Sequence, residues 1–444
     1  MPLRVYYDEM GVRLTQWLCW WYKYSAGCWS MIHYDVSRQI EGVHEYSMTG
    51  KERILTALRN QQPDRVPATP DISIMIPCSL TGKPFWEVEF NRNPALQTAY
   101  INAVKFFGID GWMYNGTLQF TSASEVSHRS EVISKDDAKW EVLTVLSTPD
   151  GDLTSVTVYP RENPCTVIEK PVKDFKEDFK KLRHLFSDVI SCDASSYRRQ
   201  QEEMGDSGML CCGVWPPGLQ NCVGLMDMEP LTYAYHDYPE LFEELVAMID
   251  RVCIRQTEMA IIAGVESVLT GGSGSITLQS PELFRKLSLP TIKKMTKMCR
   301  QAGVLVGIHS CGRERDIVEM CANETDLDYI NPLEIPPMGD CDLAECKKSF
   351  GDRLALMGNL HTTDVMLRGS VRDVRRASLQ AILDAGDNGG FVLSTGDQCG
   401  RDTPHENIFE MVRVAKEFGA YPLDRDRIAD ELRKLGNGYS PPVR

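Results

Sequence analysis

The chain has 444 residues, of which 43% are hydrophobic and 25% charged, as in a folded globular protein with a large core. Its formal net charge of −14 disfavours nonspecific binding to nucleic acid or anionic lipid, and no run of roughly eighteen apolar residues predicts a membrane span. The 15 cysteines are scattered and odd in number, which favours a reduced, cytoplasmic chain over a disulfide framework.

The first 47 residues differ from the rest of the chain. Four of the eight tryptophans lie there, in QWLCWWYKYSAGCW, but the stretch lacks the continuous apolar core of a signal peptide. We interpret residues 1–47 as an atypical, poorly packed N-terminal extension, or alternatively as an interfacial or partner-binding segment. Met48 then opens MTGKERILTALRNQQPDRVP, where Thr49 and Glu52 have the spacing of a helix capping box.

Strand and helix patterns alternate after this first helix. RVPATPDISIM (65–75) predicts a strand, ALQTAYINAVKFFG (95–108) predicts a helix, and DGWMY predicts another strand. Residues 130–160 alternate apolar and polar side chains around a Pro-Asp-Gly turn, which predicts β-hairpins inserted into the main domain. Residues 174–205 are charged and have a helical pattern.

The alternation becomes regular from residue 208. Strands are predicted near 211, 267, 306, 330, 356 and 392, and they are separated by helices. The last of these helices is expected to open with Thr403 as its cap, Pro404, and Glu406 completing a capping box. With strands near 69 and 111 the count is eight. An α/β fold is therefore predicted, a (β/α)8 TIM-type barrel over residues 48–423, followed by a polar helix and tail at 424–444.

Polar side chains follow four neighbouring strands of the predicted barrel, at the ends where the active sites of such barrels form. Side chains two positions apart on a strand point the same way. Two thiolates, an imidazole and a carboxylate can therefore converge, a ligand set that favours zinc over magnesium or calcium. Spacing alone leaves open a packing role for these side chains. In chain order the set is His309, Cys311, Glu334, Asn359, His361, Asp397 and Cys399.

Four stretches carry a family resemblance: MTGKERILTALRNQQPDRVP, SPELFRKLSLPTIKKM, GDRLALMGNL and TPHENIFEMV resemble the uroporphyrinogen decarboxylase superfamily over residues 48–423. Within it, GIHSCG and the distant GDQCGRDTPHENI resemble the zinc-containing methyltransferases that move methyl from a methylcobamide protein to a thiol such as coenzyme M. The resemblance implies a zinc site at His309, Cys311 and Cys399, a methylcobamide as methyl donor, and a corrinoid protein acting in trans.

Glu334 follows Cys311 by 23 positions. Cobalamin-independent methionine synthases, which use a similar zinc chemistry, place a glutamate at a comparable distance after their H-x-C motif. By this resemblance Glu334 is a displaceable zinc ligand or a nearby catalytic base. The alternative is a carboxylate that backbone amides satisfy at the start of a helix.

Other side chains are candidates for contact with the substrate. Arg313 and Arg401 each follow a proposed thiol ligand by two positions, so they could hold an anionic thiol or instead pair with Glu314 and Asp402. An aromatic residue after a strand can form the wall of the pocket or simply pack. The candidates are Arg313, Arg401, His361, Trp215 and Tyr114.

The sequence leaves three functions open. The favoured one is zinc-dependent methyl transfer from a corrinoid protein to a small thiol. The second is decarboxylation of a carboxylated tetrapyrrole, although PATPDISIMIP lacks the arginines with which the decarboxylases grip carboxylates. The third is a noncatalytic corrinoid-binding protein. The methyl acceptor, the upstream methyl donor, the corrinoid partner and the oligomeric state stay undetermined.

Overall fold

The structure is a computed structural model that describes residues 47–274 and 277–436. Almost all of the predicted extension at 1–47 and the end of the predicted C-terminal tail lie outside these residues. The elements up to Met204 are α1 (Gly50–Leu58), α2 (Met75–Leu80), α3 (Phe85–Glu89), α4 (Leu96–Phe107), β1 (Gly111–Gly116), β2 (Gln119–Ser122), β3 (Ser127–Lys135), β4 (Lys139–Thr148), β5 (Gly151–Pro160), β6 (Thr166–Glu169), α5 (Phe175–Leu185), β7 (Val189–Asp193) and α6 (Ser195–Met204).

The elements after Met204 alternate more regularly. They are β8 (Gly208–Gly213), α7 (Leu219–Cys222), α8 (Met228–Asp237), α9 (Pro239–Ala263), β9 (Ser267–Gly271), α10 (Pro281–Leu287), α11 (Leu289–Ala302), β10 (Leu305–His309), α12 (Arg315–Glu324), β11 (Tyr329–Asn331), α13 (Leu343–Phe350), β12 (Ala355–Leu360), α14 (Val371–Ala385), β13 (Phe391–Thr395), α15 (His405–Phe418) and α16 (Arg425–Lys434). A short π-helical segment, Thr362–Leu367, precedes α14. Among the described residues, no helix is both long enough and apolar enough to span a bilayer.

Seven parallel strands form one curled sheet in the order β1, β8, β9, β10, β11, β12, β13, which confirms the predicted TIM-type barrel. The eighth position belongs to an irregular segment. Ala68 makes one parallel bridge to Leu393 of β13, and its carbonyl accepts a hydrogen bond from the Asp110 amide at 3.0 Å, beside β1. Pro67 and Pro70 have no N–H to donate to a ladder. The predicted strand at 65–75 is therefore wrong in extent, and α2 begins at its last residue.

Tyr329 fills the interior of the barrel. Its hydroxyl lies 2.9 Å from the Ser267 hydroxyl and 3.3 Å from the Cys211 thiol. Its ring occupies the place of a side chain on β10, since a Cβ at Gly307 would lie 2.2 Å from the Tyr329 ring. Helix α1 adds Ile54 to the same buried cluster, and it packs against the ends of the strands opposite the functional loops. The barrel is thus filled by side chains below the site.

The predicted β-hairpins are present and extend further than expected. Strands β3 to β6 form a four-stranded antiparallel sheet, so the pairing reaches residue 169. Trp140 of β4 stacks on Trp86 of α3 with ring centroids 5.2 Å apart, which fixes this sheet to the barrel's helical layer. The charged segment 174–205 is not helical throughout. It contains β7, which pairs with β2 and carries the buried Val189.

The two predicted capping boxes have different outcomes. Thr49 and Glu52 form a complete box at the start of α1, as predicted. At the start of α15 the predicted box is wrong, because the helix begins at His405 and Pro404 takes the cap position. The Thr403 hydroxyl is buried and finds no partner among the described residues. The C-terminal helix predicted at 424–444 is present as α16, capped by the Asp424 carboxylate.

Candidate metal centre

Three side chains converge at the carboxyl ends of β10 and β13. His309 is the last residue of β10, Cys311 lies two residues beyond it, and Asp397 lies two residues beyond β13. The His309 Nε2 atom is 3.0 Å from the Cys311 Sγ atom. One atom from each of the three residues lies within 4.8 Å of the others, which makes them the one group of this kind among the described residues. The H-x-C spacing therefore does bring an imidazole and a thiol to one point.

Asp397 joins this group through an unusual backbone conformation. Its φ is 140°, a backbone angle that residues other than glycine rarely adopt. The loop holds this conformation with two hydrogen bonds: Thr395 Oγ1 donates to the Asp397 carbonyl, and the Gln398 N–H donates to Asp397 Oδ1, both at 2.7 Å. Sequence reasoning placed Asp397 on the rim but did not single it out, since a positive φ leaves no signature at an aspartate.

Asn331, at the end of β11, orients the His309 ring. Its side-chain nitrogen lies 3.1 Å from His309 Nδ1, and its buried Oδ1 finds no partner within 47–274 and 277–436. The oxygen and nitrogen of an amide exchange places by a simple flip. In the flipped form His309 Nδ1–H donates to Asn331 Oδ1, which leaves the Nε2 lone pair free toward Cys311. That is the tautomer a metal at Nε2 requires.

Cys311 is held between neighbouring loops. Its Sγ lies 3.4 Å from the Ser273 hydroxyl, and its carbonyl accepts a hydrogen bond from the Gly274 N–H at 3.2 Å. Burial, and next the negative charge of Asp397, raise the pKa of the Cys311 thiol. A bound cation reverses this balance because it stabilises the thiolate. The donor set of imidazole, thiol and carboxylate thus fits a zinc ion.

Cys399 lies in the same loop as Asp397 but outside the three-residue group. Its side chain is fully buried, and its N–H donates to the Asp71 carbonyl at 2.8 Å. Burial, together with the Asp71 charge, raises the pKa of the Cys399 thiol to about 12. The role of Cys399 as a zinc ligand stays a prediction.

Glu334 is tied to the same loop from the other side. Its Oε2 atom accepts a hydrogen bond from the Gly312 N–H, directly after Cys311. Burial, and then the Asp397 charge, raise the pKa of Glu334. The carboxylate is therefore close enough to the group to respond to its charge, while its predicted role as ligand or base remains untested.

A cavity of about 310 Å³ opens beside the group. Asp71 lines it and is 94% buried, and the Ser73 N–H donates to Asp71 Oδ1 at 2.9 Å. Burial, and then the Asp397 charge, raise the pKa of Asp71. Tyr114 also lines the cavity, and its contact with a substrate stays a prediction. The cavity is also lined by Trp112, Leu269, His309 and Asp397.

The remaining predicted substrate contacts lie elsewhere. Arg401 pairs with Asp402 at 2.8 Å and with Glu162 of the insertion at 3.1 Å. Arg313 is exposed, and its N–H donates to Thr277 Oγ1 at 3.0 Å.

His361 caps the π-helical segment, since its Nδ1 accepts the Asp364 N–H at 2.9 Å, and it lines a separate cavity of about 560 Å³. Trp215 packs edge-on against Phe186 with ring centroids 5.3 Å apart. Neither residue lines the cavity beside His309, so their contact with the substrate, like that of the two arginines, stays a prediction.

Asn331→Ala should lower the affinity for zinc about 10- to 100-fold, because the imidazole loses the partner that fixes its tautomer. The measurement is competition with a chromophoric zinc chelator. Asn323→Ala is the matched control, since Asn323 accepts a hydrogen bond from Arg353 at the surface. Equal zinc affinities for the two variants would show that Asn331 does not orient His309.

The comparisons with known proteins point to one family. The family model for uroporphyrinogen decarboxylase (URO-D) matches residues 154–418, more than half of the chain. Methylcobamide:CoM methyltransferase MtaA of Methanosarcina barkeri is 28% identical over 182 residues, which are 41% of this chain and 50% of that protein. Uroporphyrinogen decarboxylase of Coxiella burnetii is 24% identical over 191 residues, 41% of this chain and 49% of that protein.

The chain thus spans about half the length of these curated relatives. A solved methyltransferase from Methanosarcina mazei shares the fold, with a TM-score of 0.58 and 17% identity over 84% of this chain and 99% of that one. Both kinds of relative are enzymes by name. The chain belongs to the uroporphyrinogen decarboxylase family.

Proposed function

We propose that this protein is a zinc-dependent methyltransferase that moves a methyl group from a methylated corrinoid, carried by a separate protein, to a thiol acceptor. The observation that carries the proposal is the group of His309, Cys311 and Asp397 beside a cavity at the carboxyl ends of the barrel strands. This is the face on which TIM-barrel enzymes build their active sites.

The chain offers enough ligands of the right kind for zinc. His309 and Cys311 would hold the ion, Cys399 and Asp397 are the candidates for a further protein ligand, and Glu334 is the candidate for a displaceable one. When bound, zinc stabilises the thiolate form of the acceptor, which is the nucleophilic form. A site with an exchangeable position is characteristic of catalytic rather than structural zinc.

The residues around the group hold its side chains in place and limit the water around the acceptor thiol. Asn331 fixes the His309 ring, and Ser273 holds the Cys311 side chain. Trp112 and Leu269 give the cavity apolar walls, which limit the water around the nucleophile. Cavities of roughly 300 to 1,000 Å³ hold drug-sized ligands. A volume of about 310 Å³ therefore suits a small thiol, and the much larger corrinoid must dock over the mouth.

Decarboxylation of a tetrapyrrole is less favoured by the same cavity. A substrate with several carboxylates is best held by arginine or lysine. None of the described residues that line the cavity is an arginine or a lysine, and two of them are aspartates. The lining is therefore better suited to a small thiol than to a polycarboxylate.

Metal analysis combined with a transfer assay tests the proposal. The purified protein should contain one zinc per chain and should convert methylcobalamin and a thiol to cob(I)alamin and a methyl thioether. Release of CO₂ from uroporphyrinogen by metal-free protein would indicate the decarboxylase instead. Tight cobalamin binding without transfer to any thiol would indicate a noncatalytic corrinoid-binding protein.

A further inference from the structure

We propose that the thiol acceptor carries a positively charged amino group and that Asp71 binds it. This inference rests on the proposed function, since it names the class of acceptor for the same site. The inferred acceptor also differs from coenzyme M, after which the methyltransferase relatives are named, because coenzyme M has an anionic tail.

Asp71 presents a carboxylate oxygen to the cavity. Both hydrogen bonds to this side chain come from Ser73, from its N–H and its hydroxyl, and both go to Oδ1. No described residue donates a hydrogen bond to Oδ2. The residue is 94% buried and lines the cavity. A buried carboxylate without a full set of donors favours a ligand that brings a donor and a positive charge.

The charge of the cavity agrees with such a ligand. The described residues that line it include two carboxylates, Asp71 and Asp397, and no arginine or lysine. Arg401, one of the two arginines that are candidates to hold an anionic thiol, is already paired with Asp402 and Glu162. Arg313, the other, is exposed and does not line the cavity.

A bound zinc ion would not reverse the preference of the cavity for a cationic ligand. The dication would be neutralised by two thiolates, or by the Cys311 thiolate and the Asp397 carboxylate if Cys399 is not a ligand. In either case the Asp71 carboxyl is not used for zinc, and an ammonium group beside it favours the ionised carboxylate over the protonated form that burial favours. A sulfonate or carboxylate tail beside it is repelled, whereas an ammonium group is attracted.

Aromatic side chains reinforce the preference for a cation. Trp112 and Tyr114 both line the cavity, and Tyr114 is close enough to Asp71 for the two groups to interact electrostatically. The faces of such rings attract ammonium groups. Asp71 also interacts electrostatically with His309 and Asp397, so it lies near the group that would hold the acceptor sulfur. A short chain between the sulfur and the nitrogen of the acceptor is therefore enough to reach both.

The reaction balances with an aminothiol as the acceptor. The thiol loses its proton to solvent, and its sulfur forms a bond to the methyl carbon. The cobalt–carbon bond breaks and its electron pair stays on cobalt, which changes from Co(III) to Co(I). The products are the methylthio amine, cob(I)alamin and one proton.

Three thiols that differ only in their tails test the proposal: 2-aminoethanethiol, 2-mercaptoethanol and 2-mercaptoethanesulfonate. With the zinc-loaded full chain and methylcobalamin, kcat/KM per thiolate should be at least ~10-fold higher for the aminothiol than for the sulfonate. Asp71→Asn, which can still accept from Ser73, should lower the ratio of aminothiol to mercaptoethanol about 10-fold. A preference for the sulfonate, or an unchanged ratio in the variant, would overturn the proposal.

A binding measurement separates this proposal from the proposed function. Calorimetry with 2-(methylthio)ethylamine and 2-(methylthio)ethanesulfonate needs no methyl transfer. The amine should bind more tightly, and Asp71→Asn should remove the difference, whereas the surface variant Asp352→Asn should keep it. If no thiol is methylated, the methyltransferase function fails. An amine preference that depends on Asp71 still supports the cationic acceptor subsite, and equal binding of the two thioethers overturns it.

Discussion

Cys311→Ser should lower the affinity for zinc by more than ~100-fold and reduce methyl transfer to background. Loss of a partner that merely supports a ligand costs about 10- to 100-fold, so loss of a ligand should cost more. Zinc content after dialysis and competition with a chelator give the affinity. Cys192→Ser is the matched control, because this partly buried cysteine lies in β7, outside the group, and should leave zinc content unchanged.

Cobalt substitution can distinguish the two candidates for a further ligand, Cys399 and Asp397. Replacing zinc by cobalt(II) gives an absorption band for each thiolate–metal bond. We expect Cys399→Ser to lose about half of this band, as for one of two thiolates, and Asp397→Asn to keep it. An unchanged band in Cys399→Ser, with loss of metal from Asp397→Asn, would instead assign the site to His309, Cys311 and Asp397.

The second large effect concerns folding. Asp110→Ala should reduce the free energy of unfolding by about 2–4 kcal/mol, because Arg53 and Arg65 lose the buried carboxylate that they share, and Arg53 keeps only Asp64 as a carboxylate partner. Asp110 accepts from Arg53 at 2.5 Å, from Arg65 at 2.9 Å and from the Ala68 N–H at 2.9 Å. Both Asp110 and Arg53 are at least 95% buried. This network joins α1 and the irregular eighth segment to the start of β1.

Urea unfolding provides the measurement, with the midpoint and the slope compared between variants. Asp352→Ala is the control. The Asp352 side chain is 79% exposed and lies 3.5 Å from the guanidinium of Arg353, so its loss should change stability by less than about 0.5 kcal/mol. A loss below about 1 kcal/mol for Asp110→Ala would mean that the network does not hold the barrel closed.

The regular part of the barrel could be predicted because the apolar pattern of each strand and helix repeats within a few neighbouring residues. Apolar strands and capped helices between residues 208 and 418 each carry their own signal, and the H-x-C spacing places His309 and Cys311 together. The segment at 65–75 was mistaken for a regular strand because its apolar pattern outweighed Pro67 and Pro70, whose missing N–H groups break the ladder.

The rest of the site depends on distant parts of the chain. Asn331 faces His309 because β11 pairs with β10, and Arg401 finds a second partner in Glu162 of the insertion. The positive φ of Asp397 comes from hydrogen bonds within its loop. None of these has a signature in the spacing of residues.

The filled interior of the barrel has a kinetic consequence. Tyr329 and helix α1 occupy the space beneath the metal group, so among the described residues the mouth is the only route that the strands leave to the cavity. A corrinoid protein seated over the mouth would close that route. If the proposed function holds, the thiol should therefore enter first and the thioether should leave last, which gives a compulsory order in which the corrinoid protein arrives second and departs before the methylated product.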